Sequence, residues 1–321
     1  MSSATGTSLL FDECVAAAQI QAAAGAYLEA TRLLNEALKS CPIEDEARRA
    51  KVLALLAHNY PRLGNLQASV RCASEAVALA ERHDDETVLA DALTSLSFVY
   101  AQLLMGRDAL ECGLRALAAA RRARDPAREA WALNRIGVAY SSLDNPRQAC
   151  ETTSQALEIA QTLDARELCF SCLNNLAYFW LHLARDALRG GGPDEQAQLN
   201  AHQLAQQATD LARSSASPFQ VAVAASNLVE ALLLGGHFAA ATPLLAEFEQ
   251  LSSSHGYVAL ELQAAAQRAL ILKAHQDFGG AVAGLRALLE RTQQNELPPK
   301  LRRILIHALY ETHKACCEYR H

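Results

Sequence analysis

The chain has 321 residues, with 35 acidic against 29 basic side chains, a net charge of −6 and an isoelectric point near 5.9. That balance carries no basic excess, so a nucleic-acid footprint is not expected. No uninterrupted apolar run approaches the roughly 18 residues of a membrane span either. Hydrophobic residues make up 51% but aromatic ones only 6%, so the apolar content is mostly Ala and Leu and favours helices over strands.

Residues 1–14 lack a basic n-region and a long apolar core, which excludes a secretory signal there. The nine cysteines are odd in number and spread along predicted helices, a usage that fits a reducing cytoplasm.

Read in chain order, the residues fall into a frame of 40. The first unit, 8–45, carries Gly25, Tyr27, Ala30 and Ala37. The second, 46–85, repeats the pattern with Tyr60, Ser69 and Ala76, and the third, 86–125, with Tyr100, Ala109 and Ala116. A cluster of Arg121, Arg122, Arg124 and Arg128 follows, where a helix should end. Cations suit that end of a helix dipole; an anion-binding patch is the alternative.

In the fourth unit, 126–165, a helix over 130–142 places Leu133, Ile136, Gly137 and Tyr140 on one stripe. Asp144, Asn145 and Pro146 break it, and a second helix over 147–162 carries Ala149, Ala156, Leu157 and Ala160. Asp125 or Asp164 can cap the helix that follows each boundary.

The fifth unit, 166–217, has Trp180 at the tyrosine position, yet its paired alanines arrive late, at Ala201 and Ala208. The gap is 21 residues where the second, third and fourth units have 9, so 12 are inserted. Gly190, Gly191, Gly192 and Pro193 lie in the insertion, while Leu183, Ala184, Ala187 and Leu188 extend the stripe. A long helical hairpin with the glycines near its tip is therefore expected. The frame then resumes through Phe248 in unit 218–257 and Leu288 in unit 258–297, and an incomplete eighth unit covers 298–321. A period of this size marks a single all-α solenoid of antiparallel helix pairs, in which small residues let helix axes approach to about 8 Å.

No catalytic, cofactor or metal motif stands out, so the chain as given is not expected to be an enzyme. Cys169 and Cys172 form a C-x-x-C, but a redox role would want a βαβ setting and zinc two more ligands, so core packing on one helix face is the favoured reading. Cys316 and Cys317 adjoin a predicted turn and read as exposed. The glycine run at 190–192 lacks the Lys and Ser/Thr of a phosphate loop.

Ile136-Gly137, Tyr140, Ala149 and Ala156 together resemble the tetratricopeptide (TPR) pattern, as do Asn175-Leu176-Ala177 with Trp180 and Asn227-Leu228 with Gly236 and Phe238. The resemblance covers nearly the whole chain, with units longer than the usual 34 residues. It implies a right-handed superhelix of about seven and a half repeats whose first helices line a concave groove. The inward positions are then His58, Arg62, Asp91, Thr94, Phe98, Gln102, Asn134, Arg135, Asn174, Asn175, Tyr178, His182, Asn227 and Glu230. Amide and aromatic groups in a groove suit an extended peptide or a partner helix; a hydrated surface is the other reading. The clamp that some TPR proteins close on a C-terminal carboxylate needs lysines that are missing here. Finally, residues 309–314 with Glu318 and Tyr319 resemble the last TPR unit of bacterial proteins that continue into a GGDEF diguanylate cyclase domain. The frame would put its next small residue at position 322, so the chain is expected to be a fragment cut inside its eighth unit, and the similarity implies a sensory module that could form a homodimer through the missing domain. A stand-alone adaptor for protein partners is the alternative.

Overall fold

The computed structural model describes residues 2–215 and 217–293, together with 306, 308–310, 312 and 314. Among these residues every regular element is a helix, and the chain forms two compact units, Met1–Cys172 and Leu173–His321. No helix among the described residues is long and apolar enough to cross a membrane.

The first unit holds α1 (Ser2–Ala23), α2 (Tyr27–Ser40), α3 (Glu46–Asn59), a 3-10 turn (Tyr60–Leu63), α4 (Leu66–Arg82), α5 (Glu86–Gln102), α6 (Gly106–Arg122), α7 (Pro126–Ser142), α8 (Pro146–Thr162) and the start of α9 (Arg166–Arg189). Each helix from α4 to α8 has 17 residues, and all of them but α6, which follows Met105, start on a side-chain cap. Asp45, Asn65, Asp85, Asp125 and Asn145 accept the free N–H groups of the first turns of α3, α4, α5, α7 and α8. At the other end the chain reverses through a left-handed residue: Gly64, Asp84, Leu104, Arg124, Asp144 and Asp164 all have positive φ. Asp164 thus closes α8 and does not cap α9, as the sequence had allowed. Ala165 takes the capping position, its carbonyl accepting from Cys169 N–H.

Between these ends the frame positions do the packing. Ala30, Ala37, Ser69, Ala76, Ala109, Ala116, Ala149 and Ala156 are all fully buried where a second helix crosses a first. Ser69 Oγ donates to the Ala57 carbonyl at 2.6 Å, and Ser97 Oγ to that of Ala109 at 2.7 Å, so these two buried hydroxyls are satisfied across their helix pairs. At Gly113 an added Cβ would meet Ile136 Cγ1 at 2.8 Å, which fixes how closely α6 and α7 approach. Leucines and valines fill the remaining volume: Leu53, Leu89, Leu93 and Leu96 share one core with Ala76, Ala116 and Ala132.

The second unit continues with the rest of α9, α10 (Glu195–Arg213), α11 (Pro218–Leu234), α12 (Phe238–Ser254), α13 (Val258–Ala274) and α14 (Phe278–Gln293). The insertion lengthens α9 to 24 residues and α10 to 19. The link between them contains Gly191 with φ +109, and Asp194 caps α10 through Ala197 N–H. Ala177 packs on Ala205 and Leu228, and Leu181 on Ala201 and Ala231. Ala184 is still buried, whereas Leu188 one turn further is 43% exposed, so the last turn of α9 reaches past the core. Ala208 and Phe248 are fully buried and Leu288 nearly so. The expectations for the eighth unit, for Cys316 and Cys317 and for Glu318 and Tyr319 fall largely or wholly outside the described residues.

Candidate binding site

The inner faces of α3, α5 and α7 in the first unit enclose a cavity of about 490 Å³. Each helix contributes a stripe at helical spacing: Lys51, Leu55 and His58 from α3, Asp91, Ser95 and Phe98 from α5, Arg128, Trp131 and Arg135 from α7. Arg62 from the 3-10 turn and Thr94 from α5 also line it, with Gln19 and Glu167 at its edges. Six of the residues expected in the groove are therefore gathered here: His58, Arg62, Asp91, Thr94, Phe98 and Arg135.

The charges in this cavity divide into a spent half and an unspent one. Arg128 holds Asp91 through two 2.9 Å hydrogen bonds and also pairs with Asp125, so its charge is neutralised. Burial pushes the Asp91 carboxyl up, and the paired Arg128 pulls it back. Asp85 is committed to capping α5 through Thr87 and Val88 N–H.

Arg135 is different. It is 8% exposed, and no carboxylate pairs with it among the described residues. Its guanidinium carbon instead sits 4.7 Å from the centre of the Phe98 ring and 5.2 Å from that of Trp131. Burial, together with the positive charge of Arg62, pulls its pKa down to about 10. Arg62 lies over the Tyr27 ring at 5.1 Å and donates to the His58 carbonyl at 2.6 Å. The same Arg62, then burial, then Arg135 hold the His58 imidazole well below its ordinary range, so it is neutral at pH 7.

The other expected groove residues lie elsewhere. Gln102 is half-buried at the end of α5 and does not reach the cavity. Asn134 is fully buried, and its Nδ2 donates to Ser171 Oγ at 2.9 Å, which corrects its placement on an open face. Asn227 is likewise buried in the second unit, where its Nδ2 donates to the Asn174 carbonyl at 3.0 Å and to Asn174 Oδ1 at 2.8 Å. In that unit Asn175 and Tyr178 are half-buried, His182 lies 3.4 Å from Asp186, and Glu230 pairs with Arg185 at 2.8 Å.

Lys51, Ser95, Arg128 and Trp131 are cavity residues that the sequence reading missed. A signal existed, because Lys51, Asp91 and Trp131 are 40 apart, as are Leu55, Ser95 and Arg135.

The arginine cluster at the end of α6 is occupied by structural pairs: Arg121 with Glu129 at 2.8 Å and Arg122 with Glu86 at 2.5 Å. Cys169 and Cys172 are free thiols packed into one core with Leu133 and Leu168. Burial pushes the Cys172 thiol up to about 12, far from the thiolate that redox or nucleophilic chemistry needs.

Three solved structures are informative for the fold. A Rap protein complexed with competence and sporulation factor superposes with a TM-score of 0.70 at 14% identity, over 94% of this chain and 76% of that one. Aspartyl phosphate phosphatase F from Bacillus subtilis gives 0.63 at 13% identity, over 90% and 72%. A signal-transduction ATPase of the STAND class with a tetratricopeptide repeat sensor, from Pyrococcus horikoshii, gives 0.56 at 18% identity, over 93% of this chain but only 44% of that protein. The fold is a TPR-like helical-repeat fold. No protein-family model matches the chain, and no curated protein does. At such identities the likeness describes architecture alone.

Proposed function

We propose that the chain is a partner-binding regulatory module, without catalytic chemistry of its own, that takes a short peptide segment in the cavity of the first unit. One observation carries this reading. Three successive first helices present side chains at matching frame positions around a single cavity, and Arg135 from the third of them is a buried cation that no carboxylate pairs with among the described residues. A buried charge is costly unless it is compensated. Sites that keep such a cost are disproportionately binding sites. The cavity volume of about 490 Å³ is also that of a small-ligand or short-peptide pocket.

The TPR-like neighbours support a regulatory setting: one is a signal-transduction ATPase with a tetratricopeptide repeat sensor, and one is a Rap protein complexed with competence and sporulation factor. The finer reading, a sensory region ahead of a diguanylate cyclase domain, rests on the similarity of residues 309–319 alone. It is decided by the natural reading frame past codon 321: a cyclase domain there supports it, and a stop codon favours the stand-alone adaptor.

The binding reading is tested by selecting peptides from a displayed library against the whole chain. Phe98→Ala and Trp131→Ala should each weaken the selected peptides at least about tenfold, as loss of a central aromatic anchor does. Selected peptides that bind both variants unchanged would place the partner site elsewhere.

A further inference from the structure

We infer that the first-unit cavity is a carboxylate receptor for an acidic peptide, in which Arg135 takes the carboxylate and Arg62, lining the same cavity, adds positive charge beside it. This rests on the binding reading above and adds to it the chemistry of the group received.

The argument begins with how Arg135 is held. Phe98 from α5 and Trp131 from α7 lie against the guanidinium at 4.7 and 5.2 Å. A guanidinium makes its hydrogen bonds in its own plane, through five N–H donors fixed as a fork. Phe98 and Trp131 cover part of the guanidinium, and its N–H edge makes no hydrogen bond to the described residues and remains to receive a ligand. No carboxylate of the described residues takes that edge. The group that matches such a fork is a planar oxyanion, and a carboxylate meets it with two parallel bonds.

The surroundings select for one negative charge and against a positive one. Arg62 stands close enough to lower the proton affinity of both Arg135 and His58. A bound carboxylate would relieve that repulsion between like charges. His58, neutral at pH 7, adds a hydrogen-bonding ring and no third cation. Arg128, by contrast, has Asp91 and Asp125 as partners and offers little. Glu167 at the edge is exposed and acts on Arg135 only at longer range. The chain as a whole is acidic at −6, so recognition is local and does not come from a broad positive field. Phe98 and Trp131 also present apolar surface beside the guanidinium, which suits an apolar side chain next to the acid.

The source of the carboxylate is either a Glu or Asp side chain or a free C-terminus, and the test separates them. Four acetylated tetrapeptides of the same two alanines and a phenylalanine are compared at fixed ionic strength. The last position is glutamate amide, glutamine amide, glutamine with a free carboxylate, or lysine amide. Trp131 emission is followed in a Trp180→Phe background, since the chain has two tryptophans. Melting temperature is the second readout, because a ligand that binds only the folded state must raise it.

The expected result is saturable binding of the glutamate amide, the free acid or both, with the stronger one naming the source. Glutamine amide and lysine amide should bind at least about tenfold more weakly. Arg135→Met should abolish the preference for the carboxylate while raising the melting temperature of the free protein, because an uncompensated buried charge has been removed. Arg135→Lys keeps the charge but loses the fork, and should weaken carboxylate binding at least about tenfold. Equal binding of all four peptides, a carboxylate preference that survives Arg135→Met, or no saturable response to either carboxylate peptide would each overturn the inference. Equal binding that is lost in Phe98→Ala would leave the peptide-groove reading standing, and so would library-selected peptides that carry no acid.

Discussion

Gly137 of α7 lies so close to Thr153 of α8 that a methyl group at position 137 would fall well inside van der Waals contact with Thr153 Oγ1, and at 3.1 Å from the Ala149 carbonyl. Thr153 is fully buried, and its hydroxyl has no hydrogen-bond partner among the described residues. The two helices are therefore pressed together at a point where neither polar satisfaction nor spare volume exists. Gly137→Ala should destabilise the protein by about 1–3 kcal/mol despite the better helix propensity of Ala. Adding Thr153→Ala should recover a large part of that loss. A double-mutant cycle by urea unfolding reads the coupling, and additive effects would refute the contact.

Ala149 is fully buried in the same helix crossing. Ala149→Leu should cost about 1–3 kcal/mol by overpacking. An unchanged melting temperature would show that α7 and α8 can separate without penalty.

Arg124 is exposed and has φ +54, a left-handed conformation that costs a side-chain-bearing residue about 1–2 kcal/mol. Glycine adopts it freely but loses more entropy on folding, about 0.5–1 kcal/mol. Arg124→Gly should therefore raise stability by a few tenths to about 1 kcal/mol, seen as a higher denaturant midpoint with an unchanged slope. A fall in the midpoint would mean that the arginine contributes more at the end of α6 than its backbone costs.

Asn134 and Arg135 are sequence neighbours with opposite duties, and their variants should separate cleanly. Asn134→Ala removes the buried hydrogen bond to Ser171 and should cost about 1–3 kcal/mol, leaving peptide binding near the wild-type value at temperatures where the chain stays folded. A variant that keeps its stability and loses binding would return Asn134 to the groove.

His58 makes a prediction about pH. Its folded-state pKa is depressed, chiefly by Arg62, below the 6.5 that it takes in the unfolded chain. Below pH 6.5 the unfolded state therefore binds the proton more readily, and stability falls as pH falls towards the folded-state pKa. Above 6.5 both states are neutral and the contribution is fully present. The slope from this group is at most about 1.4 kcal/mol per pH unit. His58→Gln should flatten the stability profile between pH 6.5 and 5 relative to wild type, and parallel profiles would show that His58 titrates normally.

The helical architecture was legible because helix crossings impose a steric demand that only small residues meet. Ala109, Ala149 and Ala156 announce that demand in the sequence and are buried to the last square ångström in the fold. The cavity was only partly legible. The distinction between an inward-facing amide and a buried one depends on a partner on an adjacent repeat, such as Ser171 for Asn134 or Asn174 for Asn227. Those partners sit 37 and 53 residues away, and no local pattern announces them. Arg135 was visible as a candidate, but its significance was not. Its meaning comes from Phe98, on the preceding repeat, and from the lack of a paired acid among the described residues.

The left-handed closures at positions 64, 84, 104, 124, 144 and 164 recur every 20 residues, whereas the buried small residues that seat one helix on another recur every 40. Turn grammar and packing grammar thus have different periods. Excising 86–125 would rejoin like with like, giving a shorter array with every cap and closure intact. Excising 86–105 would leave each turn equally well formed but would put α6, with its alanine face, where α5 now presents Asp91 and Phe98. Such a chain would keep its helices and lose its cavity, so the array tolerates removal of a whole pair better than removal of a single helix.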